Sequence, residues 1–141
     1  MKPGAESECG PAQLRVTFRC DLAEVRSKVE RVRKFLVKSG CAEKVALACE
    51  LALVEACTNA IRHVSPAGKR LPIIVEARAE NAQIEFRVTD HTSGFNWPKQ
   101  PVLPGPESET GRGVFLIHSI MDSTQYIRGR GANLLVLRKS V

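Results

Sequence analysis

Three short clusters of polar residues and glycines carry side chains that could act together. Glu55 and Asn59 are four residues apart, with His63 four further on, in a segment whose apolar spacing predicts a helix. A carboxylate one turn from an amide oxygen can take a proton from an attacking hydroxyl and help hold Mg²⁺, which accepts few protein ligands. Asp90 ends the alternating run Ile84, Phe86, Val88 and is followed by Gly94 and Phe95. A carboxylate at a strand end can receive an exocyclic amine, and glycine lets the backbone turn close to a ligand. Gly111-Arg112-Gly113-Val114 opens an apolar segment. The first amides of such a helix can hold phosphates, and Arg112 can add charge-assisted bonds. An amine acceptor, a loop and a phosphate cradle, in that order, describe a nucleotide pocket.

Each cluster also has a plainer reading when taken singly. Glu55 and Asn59 can be solvated helix-surface residues. Asp90 can belong to an ordinary Asp turn. A Gly-x-Gly pair alone is weak evidence for phosphate. His63 is read as a polar residue at a helix end with no assigned chemistry.

The elements that must position these residues follow from periodicity. Leu14 to Cys20 alternates apolar and polar residues, which predicts a half-buried strand. Asp21 is the expected N-cap of a helix from Leu22 to Ser39, with Leu22, Val25, Val29, Val32 and Leu36 as its apolar stripe. Gly40 closes it. A second helix is predicted from about Ala42 to His63, with Leu47, Leu51, Val54, Thr58 and Ile61 buried and Glu55, Asn59 and His63 along one edge of that stripe. Strands are expected over Leu71–Ala79 and Ala82–Thr89, joined by a tight turn at Glu80-Asn81. Residues 96–110 hold four of the eight prolines, too many for a helix or central strand, and read as a loop over the pocket. A short helix over Gly111–Met121 and a hairpin of Asp122–Arg128 and Leu134–Lys139 complete the chain. This order predicts an α/β (α+β) two-layer sandwich, with a mixed, mostly antiparallel sheet and about three helices on one face. Residues 1–12 are read as a flexible tail and 13–141 as one domain.

Composition narrows the partners. The chain has 141 residues, 43% of them hydrophobic and 26% charged, with a net charge of +6. No uncharged apolar run reaches the roughly 20 residues that span a bilayer. Charge alone is a weak footprint for nucleic acid, and no recognition helix, zinc finger or aromatic-basic motif accompanies it. Neither direct nucleic-acid binding nor membrane insertion is expected. The five cysteines, Cys9, Cys20, Cys41, Cys49 and Cys57, form no Cys-x-x-Cys pair. They read as free thiols in a reducing cytoplasm, with Cys41, Cys49 and Cys57 as small helix fillers. The first helix carries Arg26, Lys28, Arg31, Arg33, Lys34 and Lys38 against Glu24 and Glu30, a basic surface open to an acidic partner.

Taken together, Glu55-x-x-x-Asn59-Ala-x-x-His63, Asp90-x-x-x-Gly94-Phe95 and Gly111-Arg-Gly-Val-Phe-Leu-Ile117 resemble the GHKL ATP-binding superfamily. This is the Bergerat fold shared by gyrase, MutL and histidine kinases. The motifs look most like those of small bacterial anti-sigma factors that are also serine-protein kinases. The resemblance runs from Leu14 to Lys139. It implies Glu55 as general base, Asn59 as Mg²⁺ ligand and Asp90 as the adenine contact. It also implies Gly94, Phe95, Gly111, Arg112, Gly113 and Val114 as further ATP-binding positions, with an ATP lid over residues 96–110. The implied activity is transfer of phosphate from Mg-ATP to a serine of a STAS-domain anti-anti-sigma protein, with sequestration of a sigma factor or other target. A homodimer is implied as well. The alternative is a catalytically weak nucleotide-binding module that acts only by holding its partner. Two departures stand out: Thr92 where the family usually has glycine, and Gly131-Ala132 where it often has Gly-Thr. Both imply reduced nucleotide affinity and leave the base and metal ligand untouched.

Overall fold

The computed structural model describes residues 12–94, 97, 98, 105 and 112–141. Residues 1–11 of the expected tail, Phe95, Gly111 and most of the expected lid lie outside the described residues, while Ala12, expected to end the tail, instead begins the first strand. The elements, in chain order, are β1 (Ala12–Phe18), α1 (Leu22–Lys38), α2 (Glu43–Arg62), a 3-10 turn (Gly68–Arg70), β2 (Ile73–Glu80), β3 (Gln83–Asp90), α3 (Arg112–Ile120), β4 (Ser123–Arg128) and β5 (Asn133–Ser140). The strands form one sheet of order β1-β2-β3-β5-β4. Every pairing among them is antiparallel, so the parallel pairing that a mixed sheet allows is absent from the described strands.

Strand alternation sets the layers. Val16, Phe18, Ile73, Val75, Ala77, Ile84, Phe86, Val88, Leu135 and Leu137 point from one sheet face into the core, where Val25, Val29, Val32 and Leu36 of α1 meet them. The opposite face carries cross-strand rows of charge, in which Glu85 pairs with Arg87 at 3.1 Å and Arg138 at 2.8 Å. Asp21 caps α1 by accepting from the Ala23 amide at 2.9 Å. Gly40, with φ +102°, turns the chain at its end. Leu22, expected in the stripe, is 56% exposed at the helix mouth.

α2 corrects the sequence reading. Leu47 and Leu51 are 48% and 46% exposed, and Val54, Thr58 and Ile61 are only half-buried. The buried side consists of Ala46, Cys49, Ala52, Leu53, Ala56, Cys57 and Ala60. This helix is apolar on two faces, and periodicity weighted by bulk selects the larger residues. The packed face is the one whose small residues let α1, the sheet and α3 come close. Cys49 and Cys57 are fillers as expected, and burial pushes their thiols up to about 11 and about 12. Cys41 instead precedes the helix and is half-buried.

The β2–β3 hairpin turns on Asn81 and Ala82, at φ 54° and 61°. This is a two-residue connection with both central residues left-handed, for which Asn suits the first place and glycine the second. Alanine there sets its Cβ against the backbone at a cost of about 1–2 kcal/mol. Replacing Ala82 by glycine is therefore expected to raise unfolding stability by about 1 kcal/mol, after allowing for glycine's larger unfolded-state entropy. Urea unfolding of the two proteins measures this, and equal or lower stability of the variant contradicts the assigned turn.

Candidate functional site

Asp90 closes β3 and is only 3% exposed. Burial of a charge demands hydrogen bonds. Oδ1 accepts from the Thr92 amide at 3.0 Å, the Thr92 hydroxyl at 2.9 Å and the Asn133 side-chain amide at 2.9 Å. Among the described residues Oδ2 receives only the Tyr126 hydroxyl, at 3.5 Å. One carboxylate oxygen is thus saturated by the protein and the other keeps most of its accepting capacity. Asn133 also donates to the Thr92 carbonyl at 3.0 Å and accepts from the Gly129 amide at 3.2 Å. It ties the β4–β5 turn to the end of β3.

Thr92 stands where the resemblance expects glycine, and it belongs to the same cluster. Its hydroxyl, besides donating to Asp90, accepts from the Gly94 amide at 2.9 Å. Gly94 has φ +93°, and a Cβ there would lie 2.5 Å from Arg128 Nε. The positive φ requires glycine, and the close approach lets the Arg128 side chain lie against it. Beneath the loop, a Cβ on Gly68 would lie 2.6 Å from the His91 carbonyl, so the 3-10 turn packs directly under His91. The buried Nδ1 of His91 has no hydrogen-bond partner among the described residues. Burial, and then the charge of Asp90, raises the pKa of the Cys20 thiol, with Lys69 opposing.

The second cluster lies where α2 meets α3. Glu55 and Asn59 are half-buried, one turn apart, and neither side chain makes a hydrogen bond or ion pair among the described residues. A Cβ on Gly113, in the first turn of α3, would come 2.5 Å from Glu55 Oε1. Glycine here is the clearance that lets the carboxylate rest against the start of α3. Val114 is half-buried beside it, and the exposed Arg112 donates to the Gly105 carbonyl at 2.9 Å. His63 is exposed at the end of α2. Among the described residues no group of three or more His, Cys, Asp or Glu could hold a metal. A cation here would depend on Asn59 together with ligand oxygens and water, an arrangement that suits Mg²⁺.

A third feature anchors the start of the expected lid. Trp97 stacks on His118 and Tyr126 at 5.5 and 6.0 Å between ring centres. Its indole donates to Thr124 at 2.9 Å. The pKa of His118 is lowered, chiefly by burial, against an opposing hydrogen bond to the Pro98 backbone. Trp97 therefore covers the inner face of the edge strand β4, and through Tyr126 it reaches Asp90.

The structure brings Glu55 together with Gly113, and Asp90 together with Gly94. Phe95 and Gly111 lie outside the described residues. The sequence reading missed Asn133, Tyr126 and Gly68. Asn133 carried a usable signal. It shares the inward parity of Leu135 and Leu137, and a polar side chain at such a position needs a buried partner. Gly68 gave none, because its neighbour lies on another element.

Comparison with known proteins places the chain. Residues 18–139 match the family model described as the histidine kinase-like ATPase domain, and the chain belongs to that family. No curated protein matches it. Among solved structures, the RsbU and RsbW domains of Rv1364c from Mycobacterium tuberculosis superpose with a TM-score of 0.68 at 16% identity, covering 91% of this chain and 32% of that one. This chain thus spans about a third of that protein's length. The SiaB-SiaC complex from Pseudomonas aeruginosa gives 0.59 at 11% identity, covering 91% and 89%. The histidine kinase AdeS of Acinetobacter baumannii gives 0.53 at 17% identity, covering 90% and 67%. At these identities the likeness is one of fold. No helix among the described residues is long and apolar enough to cross a membrane.

Proposed function

We propose that this histidine kinase-like ATPase domain binds Mg-ATP and transfers the γ-phosphoryl group to a serine of a STAS-domain antagonist protein in the cytoplasm. In the same reading it holds a sigma factor, or another regulatory target, once that antagonist is phosphorylated. The observation that carries the reading is the pair Glu55 and Asn59, half-buried and without side-chain partners among the described residues, with Glu55 set against Gly113 at the start of a helix.

In this assignment Asp90 Oδ2 accepts the adenine amine. Gly94 and Phe95 line the base side, while Gly111, Arg112, Gly113 and Val114 receive the phosphates at the N-terminus of α3. Asn59 supplies the one protein oxygen for Mg²⁺, which neutralises phosphate charge when bound. Glu55 takes the proton of the serine hydroxyl as its oxygen bonds to the γ-phosphorus. The bond from that phosphorus to the β–γ bridging oxygen breaks, and ADP leaves with the electron pair. Positioning and charge stabilisation do most of the work in such a transfer, and a compact site suffices.

The test is transfer from γ-labelled ATP to the STAS-domain proteins of the same genome, followed by phosphoserine analysis. Glu55→Gln keeps the shape and removes the base. Nucleotide binding should survive while transfer falls by about 10²- to 10⁴-fold. Transfer at the wild-type rate removes Glu55 from the chemistry, and ATP binding with no transfer by the wild type leaves sequestration as the function. Gly113→Ala gives an independent check. Alanine favours the helix by about 0.5–1 kcal/mol, yet its methyl group displaces the Glu55 carboxylate. Unchanged or higher thermal stability with transfer reduced at least tenfold is expected. Wild-type transfer in Gly113→Ala contradicts the role given to that contact.

A further inference from the structure

Residues four apart on an α-helix fall on one line, each about 6 Å beyond the last. On α2 that line reads Leu47, Leu51, Glu55, Asn59. The two leucines are about half exposed and adjacent. With Val54, Glu50 and Arg26 of α1 they line a groove of about 290 Å³ that ends at Glu55. The charges in it are unequal. Glu50 is engaged by Arg33 at 3.1 Å, whereas Arg26 makes no ion pair among the described residues. Of the basic residues on α1, Arg33 and Lys34 are already paired with Glu30, at 3.4 and 3.8 Å. The broad positive surface expected of α1 therefore reduces, at this groove, to the single cation of Arg26.

We infer that the Leu47–Leu51 ridge is the platform on which the phosphoacceptor protein docks. An apolar patch beside the acceptor serine lies on the leucines, and an acidic side chain meets Arg26. This rests on the kinase reading above and adds the surface that reading requires. In that reading the phosphates approach Glu55 from α3, where Gly113 touches its carboxylate. No residue of α3 lines the groove on the other side. A serine oxygen must come within about 3 Å of the Glu55 carboxylate to give up its proton. A protein surface that delivers it from the groove side covers Leu51, one turn away. A footprint of about 800 Å² per partner extends over Leu47 as well. A second copy of this chain is the poorer occupant, because a symmetric contact through the ridge would block Glu55 in both protomers.

The test uses the full chain with Leu47 and Leu51 both changed to serine. Both side chains are exposed enough for the fold to tolerate this, and a thermal melt checks it. Arg26→Glu is a second, independent variant. ATP affinity is measured by calorimetry. KM and kcat are measured with γ-labelled ATP and whichever STAS-domain protein the wild type phosphorylates. Both variants should bind ATP within about twofold of wild type. Each should raise the acceptor KM about tenfold, equivalent to about 1.4 kcal/mol, with kcat at saturating acceptor nearly unchanged. A wild-type KM in both variants overturns the docking surface and leaves the kinase reading intact. A wild-type dimer in sedimentation that becomes monomeric in the leucine variant assigns the ridge to self-association and also overturns it. Failure of the wild type itself to phosphorylate any acceptor removes the kinase reading and this inference with it.

Discussion

The buried carboxylate of Asp90 is the constraint around which one end of the molecule is arranged. A charge held 3% exposed is tolerable only with donors in place. Those donors come from separate segments: Thr92 in the loop after β3, Asn133 at the start of β5 and Tyr126 on β4. Satisfying one carboxylate thus fixes the loop that carries Gly94, the register at which β5 begins and the inner face of the edge strand. Trp97 stacks on Tyr126, so the first described residues of the lid segment share the same foundation. The donors crowd Oδ1, and among the described residues Oδ2 keeps most of its accepting capacity.

The opposite side of the site depends on closeness rather than charge. Ala46, Ala52, Ala56 and Ala60 keep the buried face of α2 shallow. Gly113 removes the last obstacle between α3 and Glu55. Small residues here determine the distance between a carboxylate and a helix N-terminus, which in this account is the distance between the base and the phosphates. The same choice turns the bulky Leu47 and Leu51 outward, so the packing that builds the site also leaves an apolar ridge beside it.

Most of the fold was legible in the sequence because period two and period 3.6 were cleanly written in β1, α1, β2 and β3. The Asp90 and Gly113 clusters stood out in the sequence because a carboxylate and glycines sat at element ends, whereas Glu55 and Asn59, inside α2, stood out by their one-turn spacing. α2 was misread in orientation, since six small residues and one leucine carry little weight against five larger ones in a periodicity argument. Asn133 was legible only by strand parity and was passed over. The reason for glycine at position 113 could not be read at all, because it depends on a contact between residues 58 apart in the chain. Thr92 shows a departure from a family pattern acquiring a local explanation: its hydroxyl links Asp90 to Gly94, which glycine cannot do.

The central claim is that Asp90 presents a single accepting oxygen to an exocyclic amine. The most direct measurement is competitive binding of ATP and GTP to the unmodified protein by calorimetry. Adenine offers an amino group where guanine offers a carbonyl, and a carbonyl facing Oδ2 leaves two acceptors unpaired. A site built around a donated hydrogen bond is expected to prefer ATP by on the order of 10²-fold or more. Equal affinity for the two nucleotides, or the absence of ATP binding, would contradict the account.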